Sequence, residues 1–294
     1  MRIKLLYGGW VAEADTKGGE LVSLRDQQGL EYIWQGDPAY WSGQNPVLFP
    51  IVGGLKDGKV AINGRKYEMN RHGFARKSEF SVIAQGEDFV EFELRESADT
   101  LRQYPFPFAL RVCHRLLEDG FATNFTVINT GKEPMPFCIG AHTAFRCPLR
   151  AGEAFEDYRL VFEQPENVDS ILPGASGCLY HDWREPALRG TDMIPLDHRV
   201  YDRVDTLIFE GLKSRTVKLV HKDSGRGVQV DFSQFPMLAF WTKPNVRAPY
   251  LCIEPWQGCA AYDNESGDFT DKPYCVILAA GESRTLSYTV SVLA

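Results

Sequence analysis

Leu110-Arg111-Val112-Cys113-His114-Arg115-Leu116-Leu117, then Glu118-Asp119-Gly120, then Phe121-Ala122-Thr123-Asn124-Phe125-Thr126-Val127-Ile128, is the stretch that decides the fold. Two apolar-rich runs of strand length flank a turn closed by glycine, which reads as a β-hairpin. The pattern recurs along the chain. Residues 60–62 and 65–69 flank Asn63-Gly64, the strongest short hairpin signal. Residues 80–84 and 89–94 flank Gly86-Glu87-Asp88, and 217–221 and 228–232 flank Asp223-Ser224-Gly225-Arg226-Gly227. A fifth hairpin is expected from 275–278 and 286–293 around Ala280-Gly281-Glu282-Ser283. Residues 21–34 carry two further β-like runs around the turn signal Asp26-Gln27-Gln28-Gly29.

Helix signals are scarce. The chain offers one short helical turn near 98–102, ending before Pro105 and Pro107. Residues 41–54, with Gly and Pro at close spacing, suit an irregular rim segment lying against a pocket. The Gly-, Pro- and charge-rich stretch 150–200 reads as long loops with short strands. Regularly spaced hairpins without alternating long helices mean an all-β protein, a large antiparallel β-sandwich or a barrel. No linker, repeat or low-complexity segment divides the 294 residues, so one domain over 1–294 is expected.

Composition narrows the function. Hydrophobic residues make up 44% and charged residues 24%, as in ordinary globular proteins. A net charge of -7 argues against nucleic acid as a partner, because phosphate backbones call for a basic stripe. No apolar run is long enough to span a bilayer, and the N-terminal segment does not read as a signal peptide. The seven cysteines form no CxxC pair and lie mostly in apolar segments, which fits buried free thiols in a reducing cytoplasm.

Three segments carry chemistry. In Tyr250-Leu251-Cys252-Ile253-Glu254-Pro255-Trp256, Leu251 and Ile253 alternate as on a strand. Pro255 cannot donate to a ladder, so the strand is expected to stop there, with Glu254 where the sheet opens to solvent. In Ile139-Gly140-Ala141-His142-Thr143-Ala144-Phe145, small neighbours leave one side of His142 open to a ligand. In Arg71-His72-Gly73-Phe74-Ala75-Arg76, Gly73 permits a sharp bend beside His72, and Arg76 presents a second polar group. Each histidine has a structural hydrogen-bonding role as its alternative. Trp241 closes the run 237–241 just before the Glu254 strand, so Trp241 and Trp256 could flank one cavity suited to a sugar. His114, His181, His198 and His221 are expected at the surface or in structural roles.

In this order and spacing these segments resemble the aldose 1-epimerase (galactose mutarotase) family, in its shorter bacterial branch with an HGFAR motif. The resemblance implies a large antiparallel β-sandwich with a sugar on one sheet face. It implies that Glu254 acts as general base, His142 as general acid and His72 as the histidine that orients the sugar near its ring oxygen. Asp205 falls where relatives place a hydroxyl-binding aspartate. Many members also carry an arginine just after the glycine of the Leu-Phe-Pro segment, where this chain has Gly53-Gly54-Leu55. Arg76 or Lys56 is expected to substitute.

Anomer interconversion needs a proton taken from the anomeric hydroxyl and another given to the ring oxygen. A carboxylate and an imidazole, with ordinary pKa values of about 4.3 and 6.5, can hold opposite states near neutrality. No redox change is involved, and the chain lacks a glycine-rich βα fingerprint, so no cofactor or metal is expected. Three alternatives stay open. They are a hexose-6-phosphate epimerase using Arg71, Arg76 and Lys243, a non-catalytic sugar-binding module, and a glycoside hydrolase, which would want a second carboxylate.

Overall fold

A computed structural model describes residues 1–174 and 176–294. Fourteen strands form one antiparallel sheet, and smaller sheets of three, two and two strands flank it. The hairpin of Phe108–Leu117 and Gly120–Asn129 lies near one end, with Leu110 opposite Val127 and Leu117 opposite Gly120. Its inward residues Leu110, Val112, Leu116, Phe121, Phe125 and Val127 are all buried. Each contributes roughly 1.5–3 kcal/mol of apolar burial. A sheet this long cannot stay open and flat, and it folds over on itself. Tyr288 on the Ser283–Leu293 strand meets Thr143 on the distant Thr143–Arg146 strand, hydroxyl to hydroxyl at 3.0 Å. The two halves face one another as a sandwich, with the main apolar core between them.

Most of the expected hairpins form. Asn63 and Gly64 take left-handed φ of 49° and 74° between Lys59–Ile62 and Arg65–Glu68, as a tight hairpin turn requires. Ser97 caps the one expected helix, Ala98–Gln103. Residues 41–54 form an irregular rim with isolated bridges at Leu48 and Phe49.

Three expectations fail. The fifth hairpin does not form: Val276–Leu278 pairs with Met135–Phe137, whereas Ser283–Leu293 pairs with Gly120–Asn129. The Asn129 side chain donates to the carbonyls of Leu278 and Ala279, at 3.0 and 3.1 Å, and holds the intervening turn away from hairpin geometry. The stretch 150–200 is not loop but a long hairpin, Tyr158–Pro173 with Leu179–Pro195. Its register slips where Pro165 and Pro186 interrupt the ladder, and most of its second strand is exposed, so no alternation marks it. A helix, His198–Val204, follows, and His198 is buried on it, bonded through both ring nitrogens and not at the surface.

The third failure concerns Glu254. Its strand runs Tyr250–Gln257, straight through Pro255, and Glu254 is only 1% exposed. On one side the strand pairs with Met237–Trp241, with Ala239 opposite Glu254. On the other side lie two fragments, Ile139–Gly140 and Thr143–Arg146, that keep a single register. That register sets Ala141 opposite Pro255 and His142 opposite Glu254. Ala141 N–H donates to the Pro255 carbonyl at 3.0 Å, but proline has no N–H to return. The proline therefore breaks the neighbouring strand rather than its own.

His114 is buried in the sandwich, with Nε2 2.8 Å from the Gly19 carbonyl and Nδ1 2.9 Å from the Thr123 hydroxyl. The ring is thus neutral, with Nε2–H donating to the carbonyl, and burial pushes its pKa down to about 4. The unfolded chain takes up a proton below about 6.5 that the folded ring refuses until about 4. This contribution to stability is complete above pH 6.5 and is lost as pH falls toward 4. It amounts to about 3 kcal/mol. His114→Gln should therefore destabilise the protein at pH 7 and do so by about 3 kcal/mol less at pH 4. Urea midpoints at the two pH values measure this; an unchanged gap would mean that His114 titrates normally.

Candidate active site

The strand break fixes the central geometry. His142 and Glu254 occupy a non-hydrogen-bonded pair position, where facing side chains come closest. Imidazole Nε2 lies 3.3 Å from carboxylate Oε1, and both side chains are almost wholly buried. Gly140 is required beside them, because a Cβ there would meet the Pro255 carbonyl at 3.0 Å and the Trp256 ring at 2.8 Å. Behind His142, Thr143 donates to the Asn45 side-chain oxygen at 2.8 Å, and Tyr288 closes this buried polar knot. The His142 ring packs beside the indoles of Trp41 and Trp241, with centroids at 5.0 and 5.7 Å, and the two indoles also touch each other. Tyr250 packs against both indoles.

The electrostatics follow from burial. Loss of solvent raises the Glu254 carboxyl well above the usual carboxylate range; the nearby Trp256 indole and Arg71 oppose this, and Asp205 adds to it. Loss of solvent, with the Arg76 charge acting in the same direction, lowers His142 to about 3. Burial thus favours the neutral form of both groups, a protonated carboxyl beside a neutral imidazole. His142 Nδ1, Glu254 Oε2 and Trp256 Nε1 have no hydrogen-bond partner in the protein. Each such buried polar atom costs about 1–3 kcal/mol until something bonds to it.

His72 is held by its backbone. It takes φ of 67° and Gly73 takes 69°; a Cβ on Gly73 would lie 2.2 Å from the Phe49 carbonyl oxygen. His72 N–H donates to the Gly53 carbonyl at 2.8 Å, and Gly53 N–H donates back to Nδ1 at 3.0 Å. Its Nδ1 is therefore an acceptor, and the neutral ring carries its proton on Nε2. Burial, then the neighbouring His142, Arg76 and Arg71, hold its pKa well below the ordinary histidine value. The His72 and His142 rings meet edge-on at 5.6 Å.

One cavity of about 760 Å³ brings together all six residues singled out from the sequence: Glu254, His142, His72, Arg76, Asp205 and Trp241. Asp205 ends the His198–Val204 helix in a strained backbone conformation, φ 63° and ψ -60°, and accepts from the Thr206 hydroxyl at 2.7 Å. Lys56 is not at this cavity; its ammonium donates to the Asp263 carbonyl at 2.9 Å on the surface. The ground above Gly54 is covered by the long hairpin, whose Gly177 carbonyl lies 3.2 Å from a Cβ built on Gly54. Arg71, not Lys56, reaches this region, since its guanidinium packs against Gly177. Arg71 and Lys243 line the cavity too, although the sequence had suggested them only for a phosphate; Trp41 was legible only as part of a rim.

His142, Cys252 and Glu254 place three donor atoms within 4.8 Å of one another. Burial keeps the Cys252 thiol and the Glu254 carboxyl protonated, and metal ligation needs both deprotonated. The donor set therefore fits proton exchange better than a cation.

A family model described as aldose 1-epimerase matches residues 2–291. The protein LacX of Lactococcus lactis, plasmid-encoded, is 36% identical over 301 aligned residues that cover all of both chains. Among solved structures, a galactose mutarotase related enzyme from Lactobacillus acidophilus is 30% identical, with a TM-score of 0.92, covering 100% of this chain and 98% of that one. A galactose mutarotase-like protein from Lactobacillus casei is 28% identical, with a TM-score of 0.93 over the whole of both chains.

In an NMR titration, the His142 and His72 rings should stay neutral from pH 8 down to 5. Arg76→Met should raise the His142 pKa, because removing a positive charge eases protonation. A His142 midpoint near 6.5 in the wild type would contradict the burial argument.

Proposed function

The chain belongs to the aldose 1-epimerase family, and on that premise we propose that it interconverts the α and β anomers of a free aldohexose by ring opening and closure. The observation that carries this reading is the 3.3 Å contact of the buried His142 imidazole with the buried Glu254 carboxyl. A sugar entering the cavity offers hydroxyls to the unpartnered Oε2 and Nδ1. Satisfying these atoms restores some of the stabilisation that burial removed from the charged forms. The carboxyl proton then crosses to His142, leaving a carboxylate and an imidazolium.

Glu254 takes the proton from the anomeric hydroxyl while His142 gives its proton to the ring oxygen. The bond from C1 to the ring oxygen breaks, and the anomeric oxygen becomes an aldehyde carbonyl. Rotation about C1–C2 exposes the other carbonyl face. Closure returns both protons by the same two groups with roles exchanged. Each proton transfer contributes roughly 10²–10⁴-fold. His72, locked as an Nε2–H donor, is suited to hold a sugar oxygen and not to take a proton.

A second reading is favoured by one feature. Arg71, Arg76 and Lys243 line the cavity, and among the described residues none of them forms an ion pair with a carboxylate. Three cations without an ion pair of their own suit a sugar that brings its own anion, a hexose 6-phosphate.

Glu254→Gln should lower mutarotation of freshly dissolved α-glucose or α-galactose by at least about 10²-fold in polarimetry while sugar binding persists. Wild-type activity in that variant would remove Glu254 from the mechanism. Comparing glucose with glucose 6-phosphate separates the two readings. A free-sugar enzyme accelerates glucose at least as well. A phosphate enzyme prefers the 6-phosphate, and Arg71→Met with Lys243→Met should erase that preference.

A further inference from the structure

Two of the seven cysteines meet across a small sheet. Met135–Phe137 and Val276–Leu278 pair antiparallel, with Pro136 opposite Ile277 and Phe137 opposite Val276. One step further along the same register, Cys138 stands opposite Cys275. Pro136 has no N–H, and its carbonyl accepts from the Tyr104 hydroxyl at 2.7 Å, so Pro136 and Ile277 exchange no ladder bonds. Bonded and non-bonded positions alternate along an antiparallel pair, which makes Cys138–Cys275 a non-hydrogen-bonded pair as well. The amides agree. Cys138 N–H donates to the Pro50 carbonyl at 2.8 Å and Cys275 N–H to the Lys272 carbonyl at 3.1 Å, neither of them to the other. Cα atoms at such a position lie about 4.5 Å apart with their side chains on one face. A disulfide spans Cα separations of about 4.4–6.8 Å.

The surroundings hold both thiols in place. Gly258 lies against Cys138, and a Cβ there would meet Sγ at 2.6 Å. Cys275 follows Tyr274, whose φ is 59°; the Tyr274 carbonyl accepts from the Gln257 amide at 2.6 Å, and its hydroxyl donates to Glu210 at 2.9 Å. Cys275 S–H donates to the Val276 carbonyl at 3.7 Å, which leaves its sulfur to accept from Cys138 S–H. That contact, then burial, pushes the Cys138 thiol well above its ordinary range, and the Lys272 charge opposes them. Cys138 is wholly buried, whereas Cys275 is partly exposed. A small oxidant therefore meets Cys275, and Cys138 meets only Cys275. The two other cysteines on strands have no facing thiol: Cys113 stands opposite Glu91 and Asn124, and Cys252 opposite Ala144 and Trp241.

We propose that Cys138 and Cys275 form a reversible disulfide site that responds to a peroxide. Hydrogen peroxide oxidises the Cys275 thiol to a sulfenic acid and releases one water. The Cys138 sulfur then attacks the Cys275 sulfur, and the sulfenic hydroxyl leaves with the Cys138 proton as a second water. Two thiols lose two electrons and two protons in all, and the peroxide gains them. Partial exposure of Cys275 leaves the bond open to reduction by a thiol. The closed loop, residues 138–275, contains both His142 and Glu254, and closing it restricts the unfolded chain. None of this depends on which sugar, if any, the cavity turns over.

The native protein is treated with hydrogen peroxide, its free thiols are alkylated, and the peptides are mapped by mass spectrometry without reduction. A peptide pair joined through Cys138 and Cys275 should appear and should vanish after dithiothreitol. In Cys138→Ala the oxidised Cys275 has no partner, so dimedone should label it as a sulfenic acid. In Cys275→Ser the buried Cys138 should stay a thiol. The oxidised wild type should unfold at a higher urea concentration than the reduced protein, and Cys275→Ser should show no such gain. Native protein that keeps both thiols free under peroxide, or joins either one to a different cysteine, would overturn the site. So would a linkage that forms only in urea, since the folded register would then play no part.

Discussion

One absent hydrogen-bond donor, the N–H that Pro255 does not have, organises the centre of this protein. A residue with an N–H at that position would close the ladder to Ala141 and let residues 139–146 run as one regular strand. Proline leaves the ladder open for two residues while the flanking pairs hold the register. His142 therefore stays opposite Glu254 but is free of regular sheet geometry, and its ring turns to Glu254 at 3.3 Å. Gly140 on one side and the Asn45–Thr143–Tyr288 knot on the other keep the break from spreading.

That constraint also decides the electrostatics. Had the Glu254 strand ended at Pro255, the carboxylate would face water and ionise at its ordinary pKa. Because the strand continues to Gln257, the carboxyl lies inside the sheet and burial raises its pKa. The same burial, with Arg76 nearby, lowers His142 to about 3. A single backbone detail converts two ordinary titrating groups into a protonated carboxyl beside a neutral imidazole.

Much of this was legible in the sequence where local chemistry decides structure. Asn63-Gly64 and Glu118-Asp119-Gly120 announce hairpins because turn geometry restricts residue type, and alternation marks the strands beside them. The long hairpin of 158–195 was not legible, because most of its second strand faces solvent and its prolines fall at register slips. The partner of Val276–Leu278 was hidden for a different reason: an Asn129 side chain from a remote strand captures the turn. In the site, Glu254, His142 and His72 stood out because proline and glycine neighbours constrain them. Arg71 did not, since a charged residue beside a turn looks like any solvated one until Gly177 is seen to cover it.

The two histidines show why burial alone does not make an acid–base catalyst. Both are pushed toward the neutral form, and both face one cavity. His72 spends its Nδ1 lone pair on the Gly53 N–H, so it can only donate from Nε2. His142 makes no such bond, and its Nε2 faces a carboxyl group able to lend it a proton. The difference is one backbone hydrogen bond. It leaves His72 a fixed donor and His142 a group that can exchange protons, and the ligand that suits such a pair carries an acidic hydroxyl and a basic ether oxygen on the same carbon. A hemiacetal meets that description, whereas a simple alcohol or a plain ether meets half of it.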